Sequence, residues 1–418
     1  MKANTETQPA SRLPKTFSAL RHRNFQLWFM GQLVSFAGTW MQSVAQSWLV
    51  YQLSHSEWIL GVVGFVSAIP YILVSPWGGV VSDNVSKRNL LVVTQSVSMI
   101  LAFVLSFLTF SGTVQVWHVV VLSIILGVVN TFDAPARQSF VVEMVGREDL
   151  GNAIALNSVL INGARVIGPG LAGILLPLVG PAWCFAINGF SFIAVIIGLL
   201  AMRIPKTQDQ VKKTGNPWEQ YKAGLDYVKT SQPILALLGI AAVFSVFGLS
   251  YTVLLPAFVD KVLHAGAGGY GLFNTVFGVG AVIAALIIAR YGEGERRRRF
   301  MLVSSLIFPI ILIILALNTQ FWIAAILAVV LGLFFILQFV SINSLLQSQV
   351  DDEMRGRVMS LYTMTFFGIA PFGNLLAGSV AQTVGIPITL LVSAGLTLAL
   401  TLVIYARVPD VWRRGSSG

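Results

Sequence analysis

Charge is what this 418-residue chain has least of. Asp, Glu, Lys and Arg make up 11% of it, where a soluble domain carries about 25%, while apolar residues reach 56%. That combination excludes a set of soluble domains and leaves a membrane protein. Cysteine is nearly absent: Cys184 stands alone, which rules out an internal disulfide framework and any multi-cysteine zinc or iron–sulfur site. His22, His55, His118 and His264 show no metal-binding spacing, so no metal or other cofactor is expected. The phosphate-binding pattern G-x-x-x-x-G-K-[ST] is missing, which removes ATP as the direct energy source; the glycine-rich run from Gly266 to Gly271 reads as a turn. No Ser-His-Asp or paired-carboxylate set falls at a common depth, so an enzyme is not expected.

What is present is a succession of apolar stretches of about 20 residues, each long enough to cross a bilayer as a helix. Twelve are read, at about 25–53, 57–82, 89–111, 116–136, 152–178, 182–203, 233–259, 268–290, 300–317, 321–347, 358–384 and 386–408. Residues 1–24 are polar with no cleavable signal pattern, and 409–418 form a polar tail whose last four residues, Gly415 to Gly418, read as an appended remnant. Lys and Arg orient the spans, because positive loops stay on the cytoplasmic side. All except Lys261 and Arg165 fall in the two ends and the even-numbered loops, which predicts cytoplasmic termini. The net charge of +10 is thereby assigned to topology, with the lipid bilayer and not nucleic acid as its partner.

Residues 204–232 are the one long hydrophilic segment inside the chain and divide it into 25–203 and 233–408. Within the segment, Trp218, Tyr221, Leu225 and Val228 follow helical spacing, giving an amphipathic helix that either tethers the halves or lies on the inner membrane surface. A weak repeat supports the division: Val145, Glu148 and Gly151 match Val350, Glu353 and Gly356 at the same loop of each half. The expected fold is thus all-α, with twelve transmembrane helices in two six-helix bundles. Such a two-half design disfavours a channel.

The loop after the second span, with Gly79, Asp83, Lys87 and Arg88, resembles the signature of the major facilitator superfamily, although Asn84 and Ser86 depart from it. Gly168-Pro169-Gly170-Leu171-Ala172-Gly173 is similar to the Gly-Pro motif of that superfamily's antiporters. With Asp133-Ala134-Pro135-Ala136-Arg137 and the stretch Gly146 to Asp149, the pattern resembles its bacterial exporter branch, which includes siderophore exporters and macrolide efflux pumps. The resemblance implies a monomer in the bacterial inner membrane that moves a small amphipathic molecule, siderophore-like or a drug, against protons by alternating access. An importer or lipid flippase of the same fold is the rival. It also implies gating by Gly79, Asp83, Lys87, Arg88, Asp133, Arg137, Gly168 and Pro169. Asp83 would cap the eleventh helix, and Lys87 or Arg88 would pair with Asp133, the best-placed proton carrier.

Inside the spans, Gln32, Ser35, Thr39, Gln42 and Gln46 recur at three- and four-residue intervals, so they share one helix face. Lipid penalises such a stripe, which predicts a cavity or a neighbouring helix. Gln338 and Tyr362 are the candidate facing groups from the second half. Gly278, Gly280, Ala281 and Ala285 offer a small-residue face for the Gly168–Gly173 segment. Arg165 lies deep in its span with no acidic residue expected at that depth; it either bonds to the amide stripe or backbone carbonyls, or meets an anionic group of a cargo.

Overall fold

The computed structural model describes residues 15–203 apart from 147, and 217–409 apart from 293. Side chains at 15–17, 71, 72, 75–80, 82–84, 162, 217–221 and 352 lie outside that description. The surroundings of Gly79, which lies in the second helix, and the side chain of Asp83 with its expected capping contact therefore fall outside it, as do the polar ends and most of the central segment.

A short 3-10 turn, Lys15–Arg21, leads into α1 (Arg23–Ser54), α2 (Glu57–Asn84), α3 (Lys87–Phe110), α4 (Val116–Val145), α5 (Leu150–Val179) and α6 (Pro181–Ala201). After α7 (Pro217–Thr230) come α8 (Gln232–Lys261), α9 (Gly266–Tyr291), α10 (Glu295–Leu317), α11 (Phe321–Gln349), α12 (Glu353–Val384) and α13 (Ile386–Arg407). Ten of these are long and apolar enough to cross a membrane, judged on the described residues. The three exceptions are α1, which carries the amide stripe, α2, whose described apolar part is Glu57–Pro70, and the short α7. All-helical structure follows from the composition, since in lipid a helix satisfies its own backbone groups.

Local signals set the corners. Ser56 caps α2 by accepting a hydrogen bond from the Ile59 amide, leaving Glu57 in the first turn. Gly180 (φ +81) closes α5 and Gly385 (φ +85) closes α12, each followed by a proline in the next helix's first turn. These two corners are separated by the same interval as Val145 and Val350, so the weak sequence repeat coincides with a structural one. The helix α4 differs from expectation by running nine residues past 136. Arg137 and Glu143 lie within this extension, paired with Asp133 and Lys87 respectively. The glycine-rich run also differs: only Gly266 has a positive φ, and the following glycines belong to the start of α9.

Within the first half, α1 packs on α5 and α6, α2 on α4, and α3 on α4 and α6; in the second, α9 and α10 pack on α11, and α10 on α13. One end of the helices bears the basic residues, and hydrogen bonds tie it together. Arg88 donates to the carbonyls of Leu199 and Leu200 at 2.7 Å, Asn24 to that of Arg203, and Tyr227 of α7 to Asp351 at 3.0 Å. The central amphipathic helix is therefore docked on the start of α12.

The halves meet along α5 with α9 and α2 with α12, and glycines make both seams close. Gly173 faces Gly271 and Gly278 faces the backbone of Arg165 and Val166, while Gly61 faces Gly378. Two members of the expected small-residue face behave differently. Gly168 packs against Trp40 and Ala37 of α1, and Gly280 against the Val329 carbonyl of α11. Toward the end opposite the basic face, the seams finish in a polar latch. Tyr51 donates to Asp260 at 2.8 Å, Lys261 pairs with Glu57 at 2.6 Å, and Ser56 donates to Gln382 at 2.8 Å. Among the described residues, the inter-half hydrogen bonds all lie at this end.

Two outcomes are expected. A Cβ at Gly280 or Gly332 would collide with the carbonyl of Val329 or Phe277, so Gly280→Ala and Gly332→Ala should each cost about 1–3 kcal/mol and lower the melting temperature. Gly395, with open space around it, should accept alanine unchanged. At the latch, Glu57 is buried and Lys261 half in solvent, so Lys261→Gln should shift the closed arrangement by about 1 kcal/mol, about fivefold in open population. A single cysteine at Asn374, in the α2–α12 seam, should then react correspondingly faster with an impermeant thiol reagent applied to that face.

Candidate functional site

A cavity of about 590 Å³ lies in the first half. The amide stripe of α1 forms one wall through Ser35, Thr39, Gln42 and Gln46; Gln95 and Ser98 come from α3, Asn130, Asp133 and Arg137 from α4, Asn157 and Ile161 from α5, and Asn188 and Phe192 from α6. The periodic spacing on α1 thus corresponds to a cavity wall. The same side chains also join helices: Asn188 donates to Gln42 at 2.7 Å, and Gln46 donates to Ser123 at 2.9 Å.

The cavity's charged centre is Asp133 with Arg137, one turn apart on α4. Thr94 Oγ1 and Gln95 Nε2 both donate to Asp133 Oδ1 at 2.8 Å, and Arg137 Nη2 donates to Oδ2. With its carboxylate 2% exposed, Asp133 needs such partners, because an unpaired buried charge is costly. Arg137 also lies 4.7 Å from the Phe36 ring centroid and reaches Gln32 Oε1 at 3.4 Å. This corrects the expected gate pairing. Lys87 is 2.5 Å from Glu143, and Arg88 binds the two backbone carbonyls at the end of α6, because α4 extends far enough to bring its own arginine and glutamate to those places. The longer helix also sets the depth of Asp133. It lies twelve residues before Val145, about 18 Å along the axis at 1.5 Å per residue, not near the helix end.

Arg165 sits fifteen residues into α5, about 22 Å from its start by the same rise. It is on the face of Asn157 and Ile161, which line the cavity, but does not itself line it. Its guanidinium lies 5.3 Å from the centroid of Trp40, a cavity-lining residue. Among the described residues no carboxylate pairs with it, and its Nε is buried without a hydrogen-bond partner. The stripe amides expected as partners are engaged elsewhere. A charge at such depth costs about 2.5–3.5 kcal/mol even on the lenient insertion scale, and the aromatic face returns about 0.5–2 kcal/mol.

Four more unpartnered buried atoms lie in or beside the cavity, Gln32 Nε2, Gln95 Oε1, Arg137 Nε and Asn157 Oδ1, while those of Trp28, Trp48 and Gln338 belong to residues that do not line it. The second-half candidates are not brought to this cavity. Gln338 is buried in α11 and the Tyr362 hydroxyl donates to the Phe339 carbonyl at 3.3 Å; neither lines it. The contributions of α3, α5 and α6 had little sequence signal beyond the Thr94–Ser98 spacing, being single polar residues in apolar runs.

The model of the transmembrane secretion effector family matches residues 14–415. The chain is 25% identical to the staphyloferrin A transporter of Staphylococcus aureus, over 90% of this chain and 94% of that protein. It is 21% identical to macrolide efflux protein A of Streptococcus pyogenes, over 92% and 96%. A solved bacterial homologue of the lysosomal transporter Spinster, described as inward-facing and unoccupied, superposes with a TM-score of 0.72 at 13% identity, covering 97% of this chain and all of that one; this likeness concerns the fold. A polar, ion-paired cavity inside an all-helical, apolar chain agrees with these likenesses, and the protein belongs to the transmembrane secretion effector family, as a multi-pass inner-membrane transporter of the major facilitator superfamily's bacterial exporter branch.

Proposed function

We propose that the protein is a proton-coupled exporter that carries a small amphipathic compound, siderophore-like or a drug, by alternating access. The reading rests above all on the first-half cavity, where amides, hydroxyls and an ion pair adjoin the apolar surface of Phe36, Trp40, Leu126, Ile161 and Phe192. A ligand with both polar and apolar parts matches such a wall. In this reading 25–203 and 233–408 are two six-helix bundles joined by 204–232, with twelve crossings, both termini cytoplasmic and a monomer as the working unit. The latch at Tyr51, Glu57, Asp260 and Lys261 holds the outer side closed while the basic, cytoplasmic side admits cargo. Asp133 is the proton carrier, supported by its place as the carboxylate lining the cavity among the described residues.

Orientation is tested by single cysteines in a Cys184→Ser background. Those at Ser111 and Asn318 should react with an impermeant reagent added outside intact cells, and one at Ser86 should not; reversal would overturn the cytoplasmic termini. Coupling is tested in inverted vesicles energised by respiration. Uptake of a macrolide or a carboxylate siderophore should collapse on adding an uncoupler. Asp133→Asn, which keeps the side chain's size, should cut the uncoupler-sensitive part at least about tenfold while protein yield stays normal. Uptake indifferent to both the uncoupler and the substitution would remove proton coupling from the reading.

A further inference from the structure

Among the described residues, two charged groups, Asp133 and Arg137, line the cavity and a third, Arg165, lies beside it against the lining residue Trp40, and the three do not balance. Asp133 and Arg137 neutralise one another within α4. Arg165 has no such counterpart: it faces Trp40, and its Nε has no partner. Two turns nearer the helix start on the same face, about 12 Å along α5, Asn157 Oδ1 is also buried without a partner. Gln32 and Gln95, both at least 97% buried, each have an unused amide atom. A buried amide or guanidinium group left unsatisfied in this way calls for a partner. For Arg165, the partner that satisfies both charge and hydrogen bonding is an anion.

We infer that the cargo presents an anionic group to Arg165, with hydroxyl or amide groups along Asn157 and Gln95 and an apolar part against Trp40 and Phe192, and that its negative charge makes export electrogenic. This deepens the exporter reading and rests on it. An anion leaving a cytoplasm held negative moves with the membrane potential, at about fiftyfold in limiting concentration ratio per charge per 100 mV. Proton exchange at Asp133 adds to this drive and does not replace it, because the inward proton and the outward anion move charge in the same sense. Arg165 is also placed where occupancy is felt by the seam between the halves. Its own carbonyl and the adjoining Val166 pack on Gly278 of α9, so an anion drawn to the guanidinium acts on a helix turn that must move when the halves rock.

The test uses the full chain and two probes with the same ring and opposite permanent charge, 2-naphthalenesulfonate and 2-naphthyltrimethylammonium, so that neither crosses lipid by losing its charge. The sulfonate should raise the melting temperature and the ammonium should not. Arg165→Gln should weaken sulfonate binding at least about tenfold, as expected for losing a charge-assisted contact, and Arg165→Lys should restore part of it. Melting temperatures without probe show whether Arg165→Gln is merely misfolded, in which case the charge-keeping Arg165→Lys carries the comparison. In proteoliposomes loaded with sulfonate, an inside-negative potassium diffusion potential at uniform pH should accelerate efflux. Stabilisation by the ammonium alone, an equal loss of both probes in Arg165→Gln, binding of neither probe, or efflux indifferent to the potential would each overturn the inference. These outcomes leave the exporter reading to its own vesicle experiment, which fails separately if no cargo responds to an uncoupler.

Discussion

A bilayer offers no hydrogen bonds, and the arrangement of this protein follows from that single constraint. Backbone groups are satisfied by helix formation, but side-chain amides, hydroxyls and charges in the spans must find partners in the protein or in a wet cavity. The α1 stripe finds both: Gln42 bonds to Asn188 of α6, Gln46 to Ser123 of α4, and the exposed edge of the stripe lines the cavity. The same constraint explains why Asp133 is held by donors from two helices. Polar packing in the first half is thus what builds the site.

Close contact between the halves obeys a different rule. Lipid tails are as apolar as leucine, so burial of apolar surface gives no driving force between helices, and small residues that let backbones approach supply the attraction. Gly173 against Gly271 and Gly61 against Gly378 put this contact on the two seams, where it is made by backbone and is unspecific in side-chain chemistry. Such seams tolerate sliding. Among the described residues, the directional contacts between the halves lie at one end, at Glu57, Lys261, Tyr51 and Asp260, an arrangement that suits opening at one end while the other remains packed.

The sequence made the helical architecture legible to within a few residues at most span ends, because apolar runs and turn residues mark it directly. The end of α4 was not legible: the helix continues past the span through Arg137 and Glu143, whose partners Asp133 and Lys87 are known only once the helices are placed. The α1 stripe was legible through its period. Gln95, Asn157 and Asn188 were not, because an isolated polar residue in an apolar run carries no direction until its helix is placed. The latch was invisible for a related reason: Glu57 and Lys261 lie far apart in sequence, and the pairing of two charges across the halves follows only from the packing of α2 against α8.

The two halves share corners and yet differ in their interiors. Gly180 and Gly385 close equivalent helices, but where the first half has its ion pair and amides, the second packs Phe244, Phe308, Phe335, Phe339 and Phe366 ring against ring. Within that cluster α8 and α12 each contain a π turn, Phe244–Gly248 and Met364–Gly368, and Ser245 Oγ donates to the Phe366 carbonyl at 2.5 Å, joining one turn to the other. A π turn leaves the regular hydrogen-bond ladder, and such turns often accompany function. Aromatic rings pack without the fixed partners that amides require, so this half can change shape around its π turns at less cost than the first half can. Recognition therefore belongs to the half whose cavity gathers polar groups, several of them still without a partner, and bending to the half whose interior is packed by aromatic rings.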